Sequence, residues 1–417
     1  MSSTDTKNTT ESNRNGLPLL LIIATAYIAA LLNIQGFVAM MPLVQAEFGI
    51  TRAQAGLYSS FYFLSATIIA IFAGRIVDRI GSKAGMLIGC SSIGAMMVLH
   101  GVAPTFTVIL GFAFVTGIGF SLITPAVNSA VIRNVAPTKR AGSMGIAHGV
   151  GGSGALIGTM VLPALGERVG WRPVMLGAGL LAIAIGVFIH VTFGRFSATT
   201  RTTENASDAE TTGSFTGSIG ALLSRRAFLC ACIMGLSFGI SIASVTGHFA
   251  LFMNQDLGYS PALAGIGLGA FHIGGMLGQP TWGVVNDKMY RGRRHAGLFT
   301  LAVLTGITAL VFGLVVARGG VGFPLIVGLS SLMGFFVLGT PSLYFTTVTE
   351  IAPIGSAGIA TGVALVFSRI GVVLAPPIFG YIADITGRYA TSWIVLAAAV
   401  VVIPGIAMLW RSGKAGS

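Results

Sequence analysis

Charge is scarce in this sequence, and negative charge is scarcest. Asp, Glu, Lys and Arg make up 9% of 417 residues, with 12 acids against 24 bases. Soluble domains carry about a quarter of their residues charged, so that class is excluded. Cysteine is almost absent. Cys90, Cys230 and Cys232 all lie in apolar runs, which implies no disulfide framework. Cys230-Ala-Cys232 has no further Cys or His near it to complete a metal set. A nucleophile elbow, a phosphate-cradling glycine loop and a metal-ligand cluster are all missing, so neither an enzyme nor a cofactor is expected. No cleavable signal is visible either, because the first 16 residues are polar and the apolar run after them is too long for one.

What the chain has instead is apolar length. Hydrophobic residues reach 54% and the mean hydropathy is +0.86. The apolar stretches are continuous over about 20 residues or more, which fits helices and not the alternation of a barrel. The expected fold is an all-α membrane protein with twelve spans, at 17–41, 52–74, 85–103, 105–135, 143–166, 171–195, 221–253, 261–286, 297–317, 322–350, 356–383 and 390–410. Residues 1–16 form an N-terminal tail, 17–195 a first six-helix half, 196–220 a polar linker, 221–410 a second half and 411–417 a C-terminal tail.

The net charge of +12 does not imply a nucleic-acid partner, because the bases sit in short loops. Counting each Lys and Arg of the loops and of the span ends beside them gives 18 on the side of the termini and 5 on the other. By the positive-inside rule both termini are cytoplasmic and the chain is multi-pass in the plasma or inner membrane. The bilayer is then a partner; the chain itself is expected to be a monomer.

The halves repeat. Thr124-Pro125 and Thr340-Pro341 are 216 apart, as are Ala136-Pro137 and Ala352-Pro353, and Ser143–Val150 then matches Ser356–Val363. Span 4 is thus the twin of span 10, and span 5 of span 11. Parallel six-span repeats are a common plan among secondary transporters.

Between spans 2 and 3 the chain reads Gly74-Arg75-Ile-Val-Asp78-Arg79-Ile-Gly81-Ser82-Lys83, and between spans 8 and 9 it reads Gly283-Val-Val-Asn286-Asp287-Lys288-Met-Tyr-Arg291-Gly292-Arg293-Arg294. Both resemble the loop signature of the major facilitator superfamily. The resemblance covers nearly the whole chain and implies alternating access with substrate at the midplane. It also implies cytoplasmic gating by Asp78, Arg79 and Lys83 and by Asp287 and Arg291. The physical reading agrees, since a carboxylate at a helix end beside bases can form a charge-assisted latch.

Span 5 carries six glycines between Gly145 and Gly158. They resemble an antiporter motif of this superfamily, although close helix packing explains them equally well. The arginine usual in span 4 of related drug exporters is Ala113 here.

One cation lies deep. Arg369 sits 13 residues from one end of the run Ser356–Asp384 and 15 from the other, so roughly 20 Å of helix separates it from either surface. A guanidinium there costs at least about 3 kcal/mol unless it meets water or opposite charge. None of the twelve acids falls mid-span. Arg369 is therefore expected to face the cavity and meet an anionic substrate. His272, Asn33, Gln35, Tyr62, Asn128 and Tyr344 are the further candidates for that site; His148 and His248 rank below them. Together these residues resemble the monocarboxylate and oxalate/formate branches of the family. The implied activity is movement of a small mono- or dicarboxylate by proton symport, with the proton as a second partner, or by anion exchange. A proton-driven exporter of drugs or amphipathic compounds is the alternative. A membrane sensor ranks last, because linker and tails are short.

Overall fold

In lipid a backbone must satisfy its own hydrogen bonds, and a chain this apolar does so as helix. The computed structural model describes residues 16–136, 139–196, 220–290, 293–353 and 356–412. The linker and Arg291 fall outside them. Twelve helices are long and apolar enough to cross a membrane: Leu19–Ala39, Arg52–Ile80, Ser82–Val102, Phe106–Asn134, Gly142–Val169, Trp171–Phe193, Arg226–Gln255, Pro261–Met289, Arg294–Arg318, Phe323–Ile351, Ala357–Thr386 and Tyr389–Trp410. They are numbered as spans 1–12, and every expected span is present. Large apolar side chains such as Ile71, Leu180, Leu277 and Ile378 stand outward, each more than half exposed. A surface of that kind suits lipid rather than water.

Turns between spans are tight. A single residue, Gly81, joins spans 2 and 3, and Gly170 joins spans 5 and 6, with φ of 85° and 87°. Only glycine takes that left-handed backbone cheaply.

Two spans differ from the uniform helices expected. Span 1 ends at Ala39 and the chain continues as a short helix, Met41–Phe48, with Pro42 in its first turn. Span 10 is two helices, Phe323–Val337 and Thr340–Ile351. Pro341 has no amide to give to Val337, and its ring crowds that turn. Its twin Pro125 stays inside the unbroken helix Phe106–Asn134, so the repeat is not strict here.

The helices fall into two compact units. One comprises Met1–Leu43 and Phe61–Thr203, the other Val44–Ser60 and Glu204–Ser417. The start of span 2 thus counts with the second unit. Within the first unit span 1 packs on span 5 and span 3 on span 6; within the second, 7 packs on 11, 9 on 12 and 8 on 10.

Glycine permits these approaches. A methyl added at Gly154 would overlap the Ile28 carbonyl, and one at Gly158 the Leu32 carbonyl. Gly239 and Gly371 do the same between spans 7 and 11, and Gly274 and Gly334 between spans 8 and 10. Lipid supplies no hydrophobic drive for helices to associate, so backbone contact through small residues carries the packing. Gly145, Gly149 and Gly152 of span 5 meet nothing within 4 Å.

Gly154→Val is therefore expected to lower the melting temperature of the purified protein, by an overpacking cost of about 1–3 kcal/mol. Gly149→Ala is expected to leave it unchanged within about 0.5 kcal/mol.

Candidate functional site

In the first unit, polar side chains of three spans converge. His148 Nε2 of span 5 lies 3.2 Å from Asn128 Oδ1 of span 4, and the His148 ring is 4.7 Å from that of Tyr27 of span 1. Oδ1 carries no proton, so Nε2 donates. Asn33 is 1% exposed. Its amide donates to the Ala29 carbonyl at 2.9 Å, while Oδ1 has no partner among the described residues. Gln35 is half-buried. Tyr62 is buried between Phe63 and Phe120, and its own backbone carbonyl faces Gly117.

In the second unit Arg369 is the thirteenth of thirty residues of span 11 and half-buried. His272 is 8% exposed, and its Nε2 has no partner among the described residues. A buried, unpaired ring nitrogen costs about 1–3 kcal/mol and calls for a ligand or water. Tyr344 is differently employed. Its hydroxyl donates to the Ala364 carbonyl at 2.8 Å, and its ring fills the space over Gly235, so it ties span 10 to span 11.

Among the expected gating residues, Asp78 and Arg79 are exposed, and Asp78 makes no ion pair among the described residues. Asp287 takes Arg294 at 2.7 Å. Arg294 also grips Glu350 with two parallel bonds of 2.8 and 2.7 Å. That fork links the end of span 8 and the start of span 9 to the end of span 10. In the sequence Glu350 was only one of the acids that do not fall mid-span.

A second polar group was missed altogether. At the start of span 2 every free amide has a partner. Asp384 accepts from Arg52 N at 3.0 Å and Ala53 N at 2.9 Å, and Thr51 Oγ1 accepts from Gln54 N at 3.1 Å. The carboxylate also answers the positive end of the helix dipole. The Arg52 side chain donates to Ala383 O and Gln255 Oε1, both at 2.7 Å, lies 5.0 Å from the Tyr389 ring centre, and stands 3.7 Å from Asp256. Asp256 in turn accepts from Tyr389 N at 2.7 Å. Below them His248 is fully buried, with Nε2 2.7 Å from the Pro376 carbonyl and Nδ1 3.3 Å from the Tyr389 hydroxyl. A carbonyl only accepts, so Nε2 carries the proton. Arg52 and Asp384 are 332 positions apart, and no spacing pattern joins them; the capping-box pattern Thr51-Arg52-Ala53-Gln54 was the one visible signal.

A model of the Major Facilitator Superfamily matches residues 23–252 and 241–416. The chain belongs to that family. It is similar to "Membrane sensor protein UhpC" of Salmonella typhimurium, 26% identical, over 86% of this chain and 83% of that one. It is similar to "Probable sulfoacetate transporter SauU" of Cupriavidus necator, 22% identical, over 89% and 88%. It is also similar to "Multidrug resistance protein 1" of Bacillus subtilis, 27% identical, over 89% and 91%. Among solved structures, the inward-facing, occupied form of a bacterial homolog to the human lysosomal transporter Spinster superposes with a TM-score of 0.71 at 16% identity, covering 94% and 96%. That likeness shows the twelve-helix fold of two six-helix halves.

Burial pushes the Asp256 carboxyl above its ordinary range, while the Tyr389 amide, Arg52 and Arg388 pull it back. A carboxyl raised in the fold stabilises it while protonated, and the contribution is lost as pH rises through the raised value. Asp256→Asn is expected to remove that loss. Between about pH 4 and pH 6 the melting temperature of the wild type is expected to change downward relative to that of the variant, measured on the same detergent-solubilised protein.

Proposed function

We propose that this chain is a secondary transporter of a small organic anion, a mono- or dicarboxylate, working by alternating access through proton symport or anion exchange. The observation that carries the reading is the depth of Arg369, about 18 Å along span 11 from its first residue. A fixed cation at that level favours an anion wherever the site admits one. His272, with its unsatisfied buried nitrogen, is the second group offered to the substrate. Asn128 and His148, with Asn33 and Gln35, are offered by the first unit. Tyr344 and Tyr62 serve as packing, each within its own unit. The likeness to a protein named for sulfoacetate, itself a carboxylate, supports the same substrate class. Both termini lie on the cytoplasmic side in this reading, on the ratio of 18 to 5 bases. Asp78, Arg79 and Lys83, and the Asp287–Arg294–Glu350 fork, serve as cytoplasmic latches.

The second reading is a proton-driven exporter of amphipathic compounds, favoured by the 27% identity to a multidrug resistance protein. A deletion strain unchanged in its sensitivity to a drug panel would retire it.

The test is uptake in proteoliposomes from a panel of labelled mono- and dicarboxylates. Arg369→Gln is expected to reduce uptake at least about tenfold, the loss of one charge-assisted contact, with helicity and monodispersity kept. Wild-type uptake by that variant overturns the anion reading. Saturable binding with no uptake by the wild type would point instead to a sensor.

A further inference from the structure

The group around His248 has no part in holding the anion, yet its charge balance is specific. The imidazole is fully buried. Arg52 of span 2, Asp384 of span 11 and the Tyr389 phenol of span 12 face it, and Asp256 after span 7 stands beside Arg52 with Arg388 of the turn after span 11 acting on it; span 9 contributes the uncharged Phe312 to the aromatic layer there. Two guanidinium groups stand against two carboxylates, so the group is neutral while His248 is neutral.

Arg52 differs from the rest in how it is held. It comes from Val44–Ser60, a segment joined to spans 7, 11 and 12 by close backbone approach at Gly56 and Gly380 and by side-chain and cap contacts: the bonds of Arg52 and Ala53, Gln45 to Gln255, and Ser60 Oγ to the Val373 carbonyl at 2.5 Å. That last carbonyl is free because Pro377 has no amide to offer it. If the segment withdraws, one excess negative charge remains beside a buried imidazole. In a poorly solvated place such a charge draws the nearest available cation.

We infer that His248 is a proton-binding site whose occupancy alternates with that of Arg52. With the guanidinium in place the imidazole stays neutral; with it withdrawn, the imidazole takes one proton at Nδ1 from a hydronium ion, whose O–H bond breaks and which leaves as water. The N–H bond formed there points at the Tyr389 oxygen, which turns from donor to acceptor, so the Tyr389 O–H hydrogen bond to Nδ1 is given up, while Nε2–H keeps its bond to Pro376. Asp256, whose carboxyl already holds a proton more readily than an exposed one, is the group nearest the end of the helices and the natural first stop.

Pro376 lies seven residues from Arg369 on span 11, two turns along the same face. Proton and anion would thus act on one helix. The use of this site in symport rests on the transport reading; its existence does not, and the test needs no substrate.

Spin labels on Ala46→Cys and Ile385→Cys, both exposed positions of the second unit, report the separation of the segment from span 11 by pulsed EPR. The native cysteines are buried. At about pH 8 a single short distance is expected. At about pH 5.5, below the ordinary imidazole value, a longer population is expected to grow from under about a tenth to about half. His248→Gln, or His248→Asn should the first variant fold poorly, is expected to keep the short distance at both values. Arg52→Gln is expected to show the long population already at about pH 8. A wild type without the pH response, or a His248 variant that retains it, overturns the inference. Arg369→Gln is expected to keep the response, so failure of the anion reading would leave this result standing.

Discussion

Backbone must meet backbone for this chain to hold together. Within a bilayer, burial of apolar surface gains nothing between helices that lipid does not already provide. What remains is contact distance, and glycine sets it. Spans 1 and 5 meet through Gly154 and Gly158, spans 7 and 11 through Gly239 and Gly371, and spans 3 and 6 through the mutual approach of Gly94 and Gly179. These pairings place the two polar groups deepest in the second unit. Arg369 reaches its level because span 11 lies on span 7 at Gly371, two residues away, and His272 because span 8 lies on span 10 at Gly274.

The sequence and the structure agree best where hydropathy decides. All twelve spans were legible, because each is longer and more apolar than any competing element. The glycines of span 5 could be read as packing or as a transport motif. The structure divides them, with Gly151, Gly154 and Gly158 against span 1 and Gly145, Gly149 and Gly152 open. Pro341 lies in the first turn of the second helix of span 10, where its missing amide breaks no bond of that helix.

The site was less legible, for a physical reason. Composition reveals a charge that lies too deep, so Arg369 stood out at once. It cannot reveal partners brought together by folding. Arg52 was the first residue of an expected span, and Asp384 and Asp256 were among the acids outside mid-span. Their association depends on the cap of span 2 resting on the last turn of span 11, at Gly380, where a methyl would strike the Arg52 carbonyl. Tyr344 shows the opposite error. A tyrosine in a membrane helix reads as a polar contact, yet its hydroxyl is taken by the Ala364 carbonyl and the ring serves as filler.

The two-piece construction of span 10 has a mechanical meaning. Its upper helix is fastened to span 8 by Ser330 on the Gly267 carbonyl, at 2.7 Å, and its lower helix to span 11 by Tyr344. A continuous rod would transmit any tilt of span 11 along its whole length to span 8. A jointed one delivers the tilt to the lower half and lets the upper half stay with its neighbour. Span 10 is in that sense a universal joint, and the residues between its two helices, Leu338 and Gly339, carry no charge.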